Sequence, residues 1–432
     1  MCLRATKIFG LITTVVAFFS TSLVSQEVSI LEEVRAVMED SRVQAAFEYI
    51  DSHDDETLET LIALTEIPAP PFAETERARI FLELLNSIGI DNSYIDEVGN
   101  VIALRKGAAP NPETLVISGH LDTVFPEGTN VQVQQMGDTL KAPGIGDDTR
   151  GLATLLAILR SLNANNIETE NNILFVGTVG EEGLGDLRGV KHLFTNSEFV
   201  ISSFISIDGT GDTRVTHQGL GSHRYSVTFK GPGGHSWGAF GLVNPAHILS
   251  RAVHYFEIAA DAYTRNGPKT SYNVGMVQGG TSINSIPAEV SMQVDMRSES
   301  QDRLIEIDSI FQRSIHKAVR EGNVNRRTGP ALNVDIELIG DRPSGEISSD
   351  EILIQRAIAS TELLNLTPVL GRSSTDSNIP ISLGIPAITI GGGGIGVASH
   401  SPDEYYINEN GPRGIQRALL ILLSRAGMVP LS

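Results

Sequence analysis

Four apolar runs in this chain stop at residues that can ionise. Thr114 to Gly119 leads into His120-Leu-Asp122, Asn172 to Thr178 into Glu181-Glu182, and Phe204 to Ile207 into Asp208. Ala387 to Ile390 leads through a glycine-rich run, Gly391 to Gly396, to His400. A further acidic pair, Asp147-Asp148, lies in Gly144-Ile-Gly-Asp-Asp-Thr-Arg-Gly151, just ahead of a Leu- and Ala-rich stretch. In α/β sheets ligands gather at the carboxyl ends of the strands. One acid at such an end is an ordinary loop residue or helix cap. Two histidines and several carboxylates at one edge are different, because like charges repel and raise each other's pKa unless a cation is present. Imidazole together with carboxylate suits zinc. Five or more ligands exceed the needs of one tetrahedral ion, so two ions sharing a bridging carboxylate fit better.

These residues need a scaffold that brings the run ends together. Continuous apolar runs separated by helical stretches, such as Gly151 to Leu162 and Thr75 to Ser87 with Thr75 as cap, predict an α/β fold. The expected architecture is a mixed, largely parallel sheet flanked by helices. Residues 29–65 also read as helical. A block of different character interrupts the pattern. Arg224 to Lys230, Tyr272 to Val277, Glu289 to Arg297 and Asn333 to Ile339 alternate apolar with polar residues, while 244–258 and 301–320 read as helices. That βαββαβ order predicts an inserted α+β domain over residues 220–340. The catalytic domain would then comprise residues 26–219 and 341–432.

Composition sets the outer limits. The chain has 432 residues, 41% hydrophobic and 19% charged, enough for a sizeable core and against wholesale disorder. A net charge of −20 argues against a nucleic-acid partner and against an anionic membrane. The single cysteine is Cys2, so neither an internal disulfide nor a cysteine zinc site can form. Arg4 and Lys7 precede an apolar stretch from Ile8 to Phe19, and Ser20, Thr21, Ser22 and Ser25 supply small residues after it. Residues 1–25 therefore read as a signal peptide, and the location expected is secreted or periplasmic.

Five segments in order carry a resemblance. Ser118-Gly-His-Leu-Asp-Thr-Val124, Gly144-Ile-Gly-Asp-Asp148, Val179-Gly-Glu-Glu-Gly183, Ile207-Asp-Gly209 and Ser399-His400 together resemble the co-catalytic zinc exopeptidases. That family includes peptidase T, the folate-cleaving glutamate carboxypeptidase, aminoacylase and acetylornithine deacetylase. The resemblance covers residues from about 55 to 425. It implies two zinc ions per subunit, with cobalt or manganese as possible replacements. His120, Asp147 and Asp208 would hold one ion. Asp147, Glu182 and His400 would hold the other, Asp147 bridging. Asp122 would orient His120, the peptide bond after Asp147 would be cis, and Glu181 would be the general base. The implied activity is hydrolysis of short peptides, with an N-acyl-amino-acid amidohydrolase as the alternative on the same site.

The resemblance extends into the insert. Gly231-Pro-Gly-Gly-His-Ser236 is similar to the family's lid segment, which implies that His235 reaches the active site of a partner subunit in a homodimer formed through this domain. Asn284 and Arg297, thirteen residues apart, match the pair that binds a substrate carboxylate in the carboxypeptidase members. An arginine fork suits that anion. Two other motifs point elsewhere. Gly234-His-Ser-Trp-Gly238 fits the serine-hydrolase elbow, but Gly241 and Pro245 delay the helix that an elbow needs. Gly391-Gly-Gly-Gly-Ile-Gly396 fits a dinucleotide fingerprint, but Pro402 and Asp403 make its continuation a loop.

Overall fold

The computed structural model describes residues 29–430 except 91 and 197, so the expected signal peptide lies outside the described residues. The main sheet runs in the order Ser93–Ile95, Val101–Arg105, Asn172–Thr178, Thr114–His120, Ile201–Ile207, Ala387–Ile390, Arg214–Gly219, Gly345–Glu346, with Val369–Ser373 also paired to Arg214–Gly219. Four strands rich in Ile, Leu, Val and Phe lie side by side at the centre. They are Asn172–Thr178, Thr114–His120, Ile201–Ile207 and Ala387–Ile390, and each is parallel to its neighbour. Both faces are covered, which is why these strands read as unbroken apolar runs. Parallel pairing also aligns their carboxyl ends. His120 stands opposite Thr178, and Ile390 opposite Ile207. The register therefore delivers His120, the Glu181-Glu182 turn, Asp208 and the loop toward His400 to one edge.

Helix Arg150–Ala164 packs on strand Thr114–His120 and starts directly after the Asp147-Asp148 pair. Gly151 allows that close start. A Cβ there would lie 2.4 Å from both carboxylate oxygens of Asp148 and 2.6 Å from the carbonyl oxygen of Ile207. A second, antiparallel sheet of four short strands, Gln134–Met136, Thr139–Lys141, Ile395–Val397 and Tyr405–Ile407, ties the loop after Ala387–Ile390 back to the segment before Asp147. It gives the long glycine-rich loop a fixed course.

Two local expectations shift. Residues 29–65 form three helices, Ile30–Glu39, Ser41–Ser52 and Asp54–Thr65. Asp40 is extended there and its carboxylate accepts from the Arg42 amide, which ends one helix and caps the next. Thr75 is the first residue of helix Thr75–Ser87 and not its cap. Glu74 takes the cap position while its carboxylate pairs with Arg188 at 2.7 Å.

The insert has the expected β-α-β-β-α-β order. Its antiparallel sheet runs Thr270–Gly279, Glu289–Ser298, Gly221–Lys230, Asn333–Arg342. Along Glu289–Ser298, Val290, Met292, Val294 and Met296 are buried at a period of two. Against them pack helix Pro245–Thr264, capped by Asn244, and helix Gln301–Asn325, capped by Ser300. The insert has its own core around Val227, Phe229, Phe256, Leu304, Ile307 and Phe311. Truncating a buried aromatic such as Phe311 to alanine costs about 3–5 kcal/mol.

Candidate active site

His120 closes its strand and is buried. Its Nδ1 lies 3.0 Å from the carbonyl oxygen of Asp122. A carbonyl only accepts, so Nδ1 carries the proton and Nε2 presents a lone pair. That Nε2 faces Asp147 Oδ1 at 3.0 Å. A lone pair and a carboxylate oxygen at that distance need a proton or a metal ion between them. The second oxygen of Asp147 repeats the arrangement with His400, Oδ2 to Nε2 at 3.1 Å, and His400 Nε2 is also 3.0 Å from Glu182 Oε1. Asp147 thus turns one carboxylate oxygen toward each histidine. The Asp147–Asp148 peptide bond is cis.

The ligand-type atoms fall into overlapping groups, each with its atoms within 4.8 Å of one another. The groups are His120-Asp147-Asp208, Asp147-Glu182-His400 and His120-Glu181-Glu182. The first two share Asp147. The electrostatics show a cluster short of positive charge. Burial, with Asp147 close by, pushes the Asp208 carboxyl up. Burial also pushes Glu181 well above the ordinary range despite the pull of Arg342. Asp147 and Glu182 raise His400 to about 10. Burial opposes a charged His120, but Asp122 and Asp147 hold its pKa well above normal. A donor set of two imidazoles and several carboxylates with these demands fits divalent metal ions of the zinc type.

The surrounding residues fix the loops that carry these groups. Asp122 is fully buried, and its carboxylate accepts from the amides of Glu181 at 3.0 Å and Glu182 at 2.8 Å. Its closer contact to His120 is through its carbonyl, the carboxylate being 3.7 Å from Nδ1. Three further residues hold the loops; Asp148 was named in the sequence only as half of an acidic pair, and Glu404 and Arg342 were not singled out. Asp148 accepts from the amides of His120, Gly209 and Gly151 at 2.9, 3.0 and 3.1 Å, tying two strand ends to the helix start. Glu404 is fully buried and accepts from the amides of Gly144, Gly146 and Asp147, which fixes the loop of the bridging carboxylate. Arg342, the last residue of an insert strand, donates to Glu181 Oε1 at 3.1 Å and to the Glu181 carbonyl. An acid four residues after His400 and an arginine at a domain junction were the available signals.

A cavity of about 250 Å³ opens beside Asp147, Glu181, Glu182, Asp208 and His400, and Arg297 lines it too. Asn284 and His235 are not among its lining residues. They sit together on the insert, where Ser236 donates its amide to the Asn284 carbonyl at 2.9 Å and His235 pairs with Ser285. Both are exposed. Ser236 borders a different cavity, of about 480 Å³, on the insert. The segment after it turns, and its helix begins only at Pro245, which is not elbow geometry.

Comparison with known proteins agrees with this geometry. The model of peptidase family M20/M25/M40 matches residues 116–424. The chain belongs to that family. The M20 match spans both halves of the main sheet and the insert between them. Among curated relatives, a Thermococcus kodakarensis protein named as a LysW-lysine/LysW-ornithine hydrolase is 35% identical over 139 residues, 32% of this chain and 36% of its own length. The chain thus aligns with about a third of that relative. Among solved M20-type structures, the aminopeptidase PepT of Bacillus cereus superposes with a TM-score of 0.69 at 20% identity, covering 86% of this chain and 99% of that one. A tripeptidase from Staphylococcus aureus gives 0.66 at 22% identity, covering 85% and 98%. These likenesses establish the α/β fold with its inserted domain.

Proposed function

We propose that this hydrolase is a dinuclear zinc exopeptidase that cleaves short peptides. One observation carries the reading: Asp147 directs its two carboxylate oxygens to two different histidines, at 3.0 and 3.1 Å, and belongs to two ligand groups at once. His120, Asp147 and Asp208 would hold one ion, and Asp147, Glu182 and His400 the other. Bound there, the ions would supply Lewis acidity to a water and to the scissile carbonyl.

The chain's own groups do the rest. Glu181, adjacent to both groups, takes a proton from the attacking water and returns it to the leaving amine nitrogen. Arg342 holds the Glu181 side chain and carbonyl in place for this. Arg297 receives the substrate carboxylate as a guanidinium fork. His235 serves a partner subunit. The amides of Trp237 and Gly238 both donate to its Nδ1 at 3.2 Å, so its proton sits on Nε2, ready to donate to a carbonyl oxygen that gains negative charge. Asn284 lies beside it and would enter the same partner site. The N-terminal leader pattern supports export to the periplasm or beyond.

A second reading keeps the site and changes the substrate to an N-acyl amino acid or a related amide. The hydrolase name of the Thermococcus relative favours it. Side-by-side turnover of tripeptides, dipeptides and N-acetyl amino acids separates the two. In the same assay a chelator should abolish hydrolysis, zinc or cobalt should restore it, and a serine-directed phosphonate should have no effect. Inactivation by the phosphonate alone would move the chemistry to Ser236 and end the dinuclear reading.

A further inference from the structure

The cavity beside Asp147 and Glu181 has no apolar side chain in its wall. Four of its residues are arginines: Arg214, Arg224, Arg297 and Arg342. They are unequally neutralised. Arg342 faces Glu181. Arg224 and Arg297 share one carboxylate, Asp295, whose Oδ1 accepts from Arg224 Nε at 3.0 Å and whose Oδ2 accepts from Arg297 Nε at 2.8 Å. Arg214 donates to the carbonyl oxygen of Asp208 and has no ion pair among the described residues. Two carboxylates therefore answer four guanidinium groups, and two positive charges remain. Their hydrogen-bonding capacity is also unspent. Neither Nη of Arg297 has a partner among the described residues, and Arg224 uses only one Nη, on the Gly183 carbonyl at 2.8 Å. Because Asp295 takes the Nε of both, it holds the two guanidinium groups as a pair. Free guanidinium edges in a polar cavity are matched by carboxylates, which they bind in bidentate fashion.

We infer that this cavity selects substrates carrying two carboxylates, the free carboxylate of a terminal amino acid and an acidic side chain on it. Arg214 and Arg224 are the specificity-determining residues beside Arg297. The inference rests on the hydrolase reading above, in which Asp147, Glu182 and Asp208 are engaged by metal ions. A substrate of one negative charge would leave a guanidinium group unmatched. A lysine side chain would add a fifth cation to the same wall.

The test is calorimetric binding of L-glutamate, L-glutamine and L-lysine to the zinc-loaded full chain near neutral pH. Glutamate and glutamine have the same shape and differ by one charge. Glutamate should bind about tenfold more tightly than glutamine, in line with one charge-assisted bidentate pair, and lysine most weakly. In Arg224→Gln and Arg214→Gln together, the glutamate-to-glutamine ratio should fall to about one. Equal binding of glutamate and glutamine by the unsubstituted protein overturns the inference. So does failure to bind either, or a preference that survives both substitutions. Turnover of Ala-Glu and Ala-Gln scores the hydrolase reading separately. If neither dipeptide is cleaved while glutamate still binds preferentially, the hydrolase reading falls and the two-carboxylate site stands. If both are cleaved equally and the amino acids bind alike, the hydrolase reading stands and this inference falls.

Discussion

Glu181 and Glu182 are adjacent in the chain and differ in what they face. Glu182 Oε1 meets His400 Nε2 at 3.0 Å, as a ligand beside a ligand would. Glu181 Oε1 meets the Arg342 guanidinium at 3.1 Å, which leaves it outside the pair of groups that share Asp147. The two substitutions should therefore separate. Glu181→Gln should retain both metals, measured by elemental analysis, and lose turnover by roughly 10³-fold or more, since it removes the base and no ligand. Glu182→Gln should lower metal content itself. The opposite pattern of metal loss would exchange their roles. Both glutamates hang from the Asp122 carboxylate by their amides, so Asp122→Ala should damage metal binding and turnover together.

Among the elements, the insert strand Gly221–Lys230 carries a charged relay. His223 Nδ1 lies 2.8 Å from Asp308 Oδ2 on helix Gln301–Asn325, and its Nε2 lies 3.4 Å from Asp341 Oδ1 on strand Asn333–Arg342. Tyr225 and Gln312 also donate to Asp308. Burial opposes a charged His223, but Asp308 and Asp341 outweigh it and raise its pKa to about 9. A pKa higher in the folded than in the unfolded chain means stability that is fully present below about pH 6.5 and is lost as pH rises through about 9. His223→Gln should cost about 1–2 kcal/mol at pH 6, a figure discounted for partial solvent screening. The gap in melting temperature between the two proteins should close by pH 10. A gap that stays constant with pH would show that the histidine's packing matters and its charge does not.

For the whole molecule, the question is what the insert presents outward. His235 and Asn284 lie outside the cavity of their own chain, and the exposed side chains of Trp237, Phe240 and Ile283 lie close to them in the chain. An interface between two copies related by a two-fold axis would cover such a surface on both. In that arrangement each site is completed by the other subunit. His235→Ala should keep metal content and dimerisation while cutting the turnover rate. Mixing His235→Ala subunits with Glu181→Gln subunits, each inactive alone, should partly restore activity, because one site of the mixed dimer has Glu181 from one chain and His235 from the other. Absence of recovery after demonstrated subunit exchange would place His235 within its own chain's chemistry or outside it altogether.

Much of this was legible without coordinates because its signals are local. Unbroken apolar runs mark strands buried on both faces, period-two alternation marks the half-covered insert sheet, and ionisable residues at run ends mark one edge of a parallel sheet. From those alone come the α/β architecture, the inserted α+β block, and a pool of candidates, His120, Asp122, Glu181, Glu182, Asp208 and His400, with the Asp147-Asp148 pair in a loop; narrowing that pool to a ligand set rests on the family resemblance. Two kinds of fact required the folded chain. The first is pairing across long separations. Glu404 lies 258 residues from Gly146, and Arg342 lies 161 residues from Glu181, and no periodicity connects such positions. The second is direction. The order of residues does not say that Asp147 divides its two oxygens between two histidines, that the Asp122 carboxylate turns to the Glu181 and Glu182 amides, or that three of the four cavity arginines share two carboxylates while Arg214 pairs with none. Those outcomes depend on which lone pairs and donors the packed backbone brings within 3 Å of each other, and only the tertiary structure sets that.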